Sequence, residues 1–474
     1  YSDKRHHSAG FDPADSDGDQ LPDAWELHYL GSLTHHGGSD PDVDTMGNSL
    51  EYWNGSWPNE RYFTPLDTIP AATDESGRNL VALNVMVTIL GTWLRCQSLG
   101  FLDPYGQPLV LHLRYDKYGG HGGDSPIWLG ASHVSDLSSP LYTAVTVHEF
   151  LHNIKNSYYC YLVKGQGNWC TEGTARLGED CFYEGADHFC KGGLYSLDVT
   201  KFLSNPDFTN LFARSYDAAF FWRYLCEQTG TPAPGMPWDG YDAVAEVLRV
   251  GKESGLGGAD ALQCYLDGLP AGHPWRGRLF SHFFGAWVTA LYTRMFATNT
   301  LTAPYYFRDE QEGYAQVKDR VDVEGYCGPS GGRCNDPHPM VLGDAPVSTW
   351  DATFPAWSSR YYPLAPDPLA RIAVVWVDGD PGERNYYAAA TSEGTNLVDL
   401  VYSYGEDFMR AFLTYGVGYD IDQIGVVIGG LDARPHYDLQ AWVLDDYTVH
   451  IVYPNATTPA RVRVPGGSLS MFLV

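Results

Sequence analysis

His148-Glu149-Phe150-Leu151-His152, followed after nineteen further residues by Glu172, asks above all for two helices lying side by side. On a helix, positions i and i+4 share a face, so His148 and His152 can point two imidazoles at one metal ion. Glu149 sits one step round, where its carboxylate reaches a water on that ion. Glu172 supplies a third ligand from a following helix. A fourth position stays open for water, as a catalytic zinc site requires. The stretch before the motif, Ala144-Val145-Thr146-Val147, is apolar and β-branched, which buries the helix rather than leaving two solvated histidines on a surface. Cys160 and Cys170 flank the loop between the two helices and are expected to brace it.

The chain has 474 residues, enough for several domains and a large core. A hydrophobic fraction of 44% with 14% aromatics marks globular protein rather than a disordered tail. No apolar run approaches the length of a membrane span. The formal charge of -28 repels nucleic acid and anionic membranes, so neither is expected as a partner. The sequence opens at Tyr1 with no signal peptide, and reads as the mature form of an exported protein whose leader has been removed. Nine cysteines without paired Cys-x-x-Cys spacing fit disulfides in such a protein, with one thiol left over.

Residues 1–60 carry two acidic segments in the same register. Asp15, Asp17, Asp19, Asp23 and Glu26 form one set, and Asp40, Asp42, Asp44, Asn48 and Glu51 the other. Each places oxygen ligands at positions 1, 3, 5, 9 and 12 of a twelve-residue loop, the spacing that wraps a chain around calcium. Position 6 is Gln20 or Thr45 rather than glycine, so these are not EF-hands. They resemble the Asp-rich calcium repeats of exported bacterial proteins.

Further along, Leu109 to Tyr115 and Ile127 to Ser132 read as strands, the second placed to be a sheet edge that holds an extended peptide beside the metal. Residues 136–300 read as mostly helical. Ser138 or Ser139 with Pro140 starts the metal helix, which runs from Leu141 to Tyr159. Glu172 to Phe182, Tyr216 to Glu227 and Leu279 to Phe296 follow as helices. Residues 300–360 look irregular. From Ala370 short β runs take over: Ile372–Val377, Asn396–Tyr404, Ile424–Ile428, Gln440–Val443, Thr448–Val452 and Arg461–Val464. They suggest a β-sandwich.

The HExxH-x19-E spacing resembles that of gluzincin metallopeptidases, and equals that of thermolysin-like members. The surroundings differ: Thr171 precedes the glutamate, and Arg176 stands where that family has an aspartate. Residues 140–230 are more similar to exported bacterial metallopeptidases that follow HExxH with an EGTAxxxED helix and a Y-x-A-x-x-F-W-x-Y-L helix. The corresponding segments are His148–His152, Glu172–Asp180 and Tyr216–Leu225. The resemblance implies a secreted zinc endopeptidase in which Glu149 is the general base. The fold class expected is α+β. A calcium-loop segment spans 1–60, a zincin-like catalytic domain with a mostly helical second half spans 61–360, and a β-sandwich spans 361–474. The partner expected is a protein or peptide substrate, and the state a monomer.

Glu179, seven residues beyond Glu172, shares its face. Glu179 or the neighbouring Asp180 can hold the free ring nitrogen of a ligating histidine; both can equally be solvated acids. Glu179 is also the substitute third ligand. Tyr216 is the first choice for the oxyanion donor, with Tyr158, Tyr159, His188 and Arg176 as rivals. Two other functions remain open: a peptidase directed at glycoproteins or mucins, and a non-catalytic, calcium-dependent surface-binding protein. An intact Glu149 speaks against the second.

Overall fold

The computed structural model describes residues 16, 21, 23, 26–27, 30, 32–34, 38–39, 48, 63–65, 80–105, 109–114, 120–121, 127–130, 140–164, 168–183, 209–232, 240–293, 307, 326–327, 332–333, 340–342, 347–353, 355–366, 372–379, 384–393, 396–406, 409–415, 421, 423–431, 436–444, 448–451 and 460–463. The helices among them are α1 Leu80–Ser98, α2 Pro140–Asn156, α3 Tyr161–Lys164, α4 Asn168–Phe182, α5 Ala219–Thr229, α6 Asp242–Ser254, α7 Gly258–Gly268 and α8 Phe280–Thr293. With the sheets below they make an α+β protein. No helix among the described residues is long and apolar enough to cross a membrane.

The chain divides into two compact units that alternate along the sequence. One comprises Tyr1–Gly193 and Thr229–Ala261, the other Leu194–Gln228 and Leu262–Val474.

In the first unit, β1 Phe63–Pro65, β2 Leu109–Arg114, β3 Gly120–His121 and β4 Ile127–Gly130 form a sheet in the order β1-β2-β4-β3. The β1, β2 and β4 pairings are parallel, and β3 runs antiparallel to β4. The expected edge at Ile127 is therefore an inner strand, because the short return through Gly120-His121 covers it; among the described strands β3 is the edge on that side and β1 on the other. Helix α2 packs on β3 and β4. It begins at Pro140, where a missing N–H costs nothing. It stops at Asn156, three residues short of the expected end; just beyond, Tyr159 takes a left-handed φ of 42° that breaks the repeat. Helix α4 starts a turn earlier than expected. It lies along α2 at a distance set by Gly178, where a Cβ would overlap Leu151 of α2 and approach the Tyr241 hydroxyl to 2.8 Å.

Helix α1 was not expected. Its Val, Ile and Thr content reads as strand, but the helix is buried at Val85, Met86, Ile89, Leu90 and Cys96, and packs on α2. Tertiary burial overrides the weak local preference.

The second unit holds two larger sheets. One has the order β13-β10-β15-β8, from β8 Val347–Thr353, β10 Ile372–Gly379, β13 Met409–Tyr415 and β15 His436–Leu444. The other has the order β12-β11-β14-β9-β7, from β7 Met340–Leu342, β9 Ser359–Pro366, β11 Arg384–Glu393, β12 Asn396–Glu406 and β14 Gln423–Gly430. Both are antiparallel except where β7 meets β9. One apolar cluster draws on both: Tyr362, Leu364, Tyr387, Ala389, Ile424, Val426 and Ile428 from one sheet, Ala373, Val375, Val377 and Leu439 from the other. Strand β11 is buried at every position but its ends, so it is covered on both faces. The second cover is α8, which packs on β11 and β14. Two short ribbons, β5 Tyr326–Cys327 with β6 Gly332–Arg333 and β16 Thr448–Ile451 with β17 Ala460–Arg463, complete the strands.

Candidate metal centre

Helices α2 and α4 bring His148, His152 and Glu172 together. His148 Nε2 lies 3.0 Å from His152 Nε2 and 3.1 Å from Glu172 Oε2, and His152 Nε2 lies 3.2 Å from the same oxygen. The imidazole rings meet edge to face, with centroids 4.7 Å apart. Three atoms that can each offer a lone pair to a metal ion thus converge on one point. Ligand atoms held at about 2.0–2.1 Å in a tetrahedron are about 3.3 Å apart, so this triangle has the size of one tetrahedral face around zinc.

Behind the triangle, His148 Nδ1 is 2.6 Å from Glu179 Oε1. Arg176 Nη1 donates to both oxygens of Glu179, at 3.0 and 2.8 Å. Glu179 is buried, and Asp180 beside it is also buried. Both acids stand in the last turn of α4, where the helix dipole disfavours negative charge. For Glu179, Arg176 and His148 offset that cost.

Lys155, two turns beyond His148 and on the same stripe of α2, is 1% exposed. Its ammonium donates to the Thr171 carbonyl and, at 3.1 Å, to the Thr174 hydroxyl, one on each side of Glu172. Tyr241, just before α6, donates its hydroxyl to the Thr174 carbonyl at 2.7 Å. The sequence reading missed Lys155, although its place three residues past His152 on the metal-facing stripe was the available signal.

Electrostatics follow from these contacts. Burial pushes the Glu172 carboxyl up, but hydrogen bonds to both imidazoles outweigh it and leave the group well below the carboxylate range. Burial pushes His148 down, yet its bonds to Glu172 and Glu179 raise it to about 9. Burial and the Lys155 charge push His152 down to about 3. Burial lowers Lys155 itself to about 8, with Glu172 opposing. With neutral imidazoles, the acids of α2 and α4 (Glu149, Glu172, Glu179, Asp180) exceed the bases (Lys155, Arg176) by two charges. The donor set, its spacing and this excess all fit a divalent cation. Glu149 is 8% exposed and close enough to His148 to raise it electrostatically.

The other expected residues fare differently. Tyr216 lies in the second unit, opens a 3-10 turn ahead of α5, and is about a third exposed. Arg176 is engaged by Glu179. The Tyr158 hydroxyl accepts the Leu102 N–H at 3.1 Å, and Tyr159 is exposed. His188 lies outside the described residues. Of the calcium set, Asp15, Asp17, Asp19, Asp40, Asp42, Asp44 and Glu51 also lie outside them. Asp23 accepts the Ser16 N–H at 2.7 Å and the Ser16 hydroxyl, which hold its carboxyl below the ordinary range. Glu26 and Asn48 are fully buried.

The expected cysteine brace is absent: Cys160 and Cys170 are free thiols, as are Cys96 and Cys264. Cys96, Cys160 and Cys170 are buried, and burial pushes all three thiols up, Cys170 to about 12. They act as small apolar side chains. The α2–α4 geometry rests instead on Lys155, Tyr241 and Gly178.

No protein-family model and no curated protein matches the chain. Among solved structures, tripeptidyl peptidase 2 is similar over 25% of this chain and 11% of its own, with 10% identity and a TM-score of 0.19. The pre-peptidase C-terminal domain of a collagenase from Bacillus anthracis is similar over 23% of this chain and 99% of its own, at 11% identity and a TM-score of 0.16. A family GH115 4-O-methyl-α-glucuronidase covers 73% of this chain and 54% of its own, at 10% identity and a TM-score of 0.15. Likenesses this slight carry no argument about fold or activity.

Proposed function

We propose that the protein is an exported, zinc-dependent endopeptidase of gluzincin type. The observation that carries this reading is the convergence of His148 Nε2, His152 Nε2 and Glu172 Oε2 within 3.2 Å of one another. These three residues would hold the ion, and zinc bound there would supply a Lewis acid that activates water near neutral pH and polarises a carbonyl. Glu149 takes the proton from the attacking water and returns it to the leaving amine. Glu179 keeps His148 oriented by accepting its Nδ1 proton. The edge strand Gly120–His121, antiparallel to β4 and in contact with α2, offers main-chain pairing to an extended substrate. In this reading the first unit is zincin-like. The two large sheets of the second unit form a β-sandwich closed on one face by α8, and calcium stabilises the acidic N-terminal segment.

The test is Glu149→Gln. It should keep stoichiometric zinc and lose hydrolysis of an unfolded casein-like substrate by about 10²–10⁴-fold. His148→Ala should lose zinc. Equal hydrolysis by wild type and Glu149→Gln sinks the proposal.

A further inference from the structure

The buried chain Arg176, Glu179, His148 has a member that the proposed chemistry does not use. Arg176 is 5% exposed and Glu179 is 2% exposed, so neither charge is hydrated and each depends on its partners. One nitrogen, Nη1, reaches both Glu179 oxygens, at 3.0 and 2.8 Å, and so fixes the carboxylate plane. In that plane Oε1 stands 2.6 Å from His148 Nδ1. Which ring nitrogen of a histidine carries the proton is set by the bond the other makes.

We propose that Arg176 is a positioning residue for the metal centre. It clamps Glu179 so that His148 keeps its Nδ1 proton outward and its Nε2 lone pair turned toward His152 and Glu172. This rests on the reading of these residues as a zinc site. It also gives a physical reason for the residue order on α4. Arg176 stands one turn past Glu172, and Glu179, a further turn along, reaches the histidine with the arginine holding it in place.

Zinc affinity, measured by competition with a chromophoric chelator, tests the proposal on the full chain, Arg176→Gln, Glu179→Gln and the double variant. Arg176→Gln should bind zinc about 10–100-fold more weakly. The double variant should bind no more weakly than Glu179→Gln, because Arg176 acts only through Glu179. That second comparison needs no folded Arg176→Gln chain: it is read between Glu179→Gln, which leaves the buried Arg176 charge without this partner, and the double variant, which removes both, and a double variant that binds more weakly than Glu179→Gln overturns the inference. Arg176→Gln binding like wild type, or losses that add in the double variant, would overturn the inference. A wild-type chain that takes up no zinc defeats the functional reading instead. The inference is then decided by the ring-nitrogen NMR signals of His148 in the metal-free, 15N-histidine-labelled chain. Arg176→Gln should shift them, and unchanged signals refute the clamp.

Discussion

Two helix seams show two ways of building an interior. Between α2 and α4 charged and polar groups make much of the contact: His148, Lys155, Arg176 and Glu179 are buried, Glu172 is partly so, and all are held by hydrogen bonds. Between α8 and its sheet the contact is made of rings and missing methyl groups. Gly285 gives room to Tyr386, whose ring would be 2.5 Å from an added Cβ, and Gly425 gives room to Tyr292. Polar atoms there are few and local: Thr289 bonds the Tyr386 hydroxyl, Gln423 donates to Tyr292 at 3.1 Å, and Tyr361 donates to the Val288 carbonyl at 3.1 Å. An apolar seam takes its stability from area removed from water and is indifferent to pH. A charged seam gives up part of that stability and answers to protons and ions.

The contrast can be broken at its strong end first. Trp287→Ala removes a ring that is 1% exposed and packs on Phe221 and Phe284, and should cost about 3–5 kcal/mol in urea unfolding, alike at pH 6 and pH 8. A strong pH dependence would erase the distinction. Close-approach glycines come next. Gly425→Ala and Gly178→Ala each place a Cβ into a neighbouring side chain, and each should cost about 1–3 kcal/mol. Gly178→Ala should in addition weaken zinc binding, because it pushes α4 from α2; unchanged zinc affinity would show the seam to be more pliant than drawn.

Smaller and more diagnostic is the pH response of Lys155. Its folded value is about 8 and its ordinary value 10.5, so between them the unfolded chain holds a proton the folded chain has released. Stability then rises with pH across that window. Buried thiols such as Cys170 titrate in the opposite sense, but both chains carry them. Metal-free wild type should therefore gain stability relative to Lys155→Met between pH 8 and 10, and a flat difference contradicts the buried charge. The smallest expected effect is none: a reductant should leave the melting of the chain unchanged at Cys160 and Cys170, which are free. A fall in melting temperature traced to that pair by Cys170→Ala would restore the disulfide brace.

What the sequence disclosed follows the same divide. His148 and His152 were legible because helix geometry puts positions i and i+4 on one face, and Glu172, on the next helix, because it completes the HExxH-x19-E spacing. Glu179 was legible only as an alternative, since a seven-residue interval says which face but not whether water lies beyond it. Lys155 was not, because lysine on a helix ordinarily means a solvated side chain. Among the strands, Ile372–Val377 and Ile424–Ile428 announce themselves by short apolar runs rich in β-branched residues. Arg384–Glu393 hides behind three alanines of high helix propensity and becomes a strand because β12 and β14 pair it on both sides. The partnership of α8 with that strand depends on Gly285 meeting Tyr386 across a long sequence separation, which no local pattern encodes.

Tyr241 has a bearing on how the protein comes into being. Its ring stacks on Phe101 at 5.6 Å and meets Phe182 edge to face at 5.1 Å, while its hydroxyl caps Thr174 from below. The polypeptide reaches this floor only after leaving for residues 194–228 and coming back. A growing chain on the ribosome therefore carries both histidines and their glutamate well before the ring that braces α4 has been made. Helix α4 gains its Tyr241 contacts only once the returning stretch has emerged.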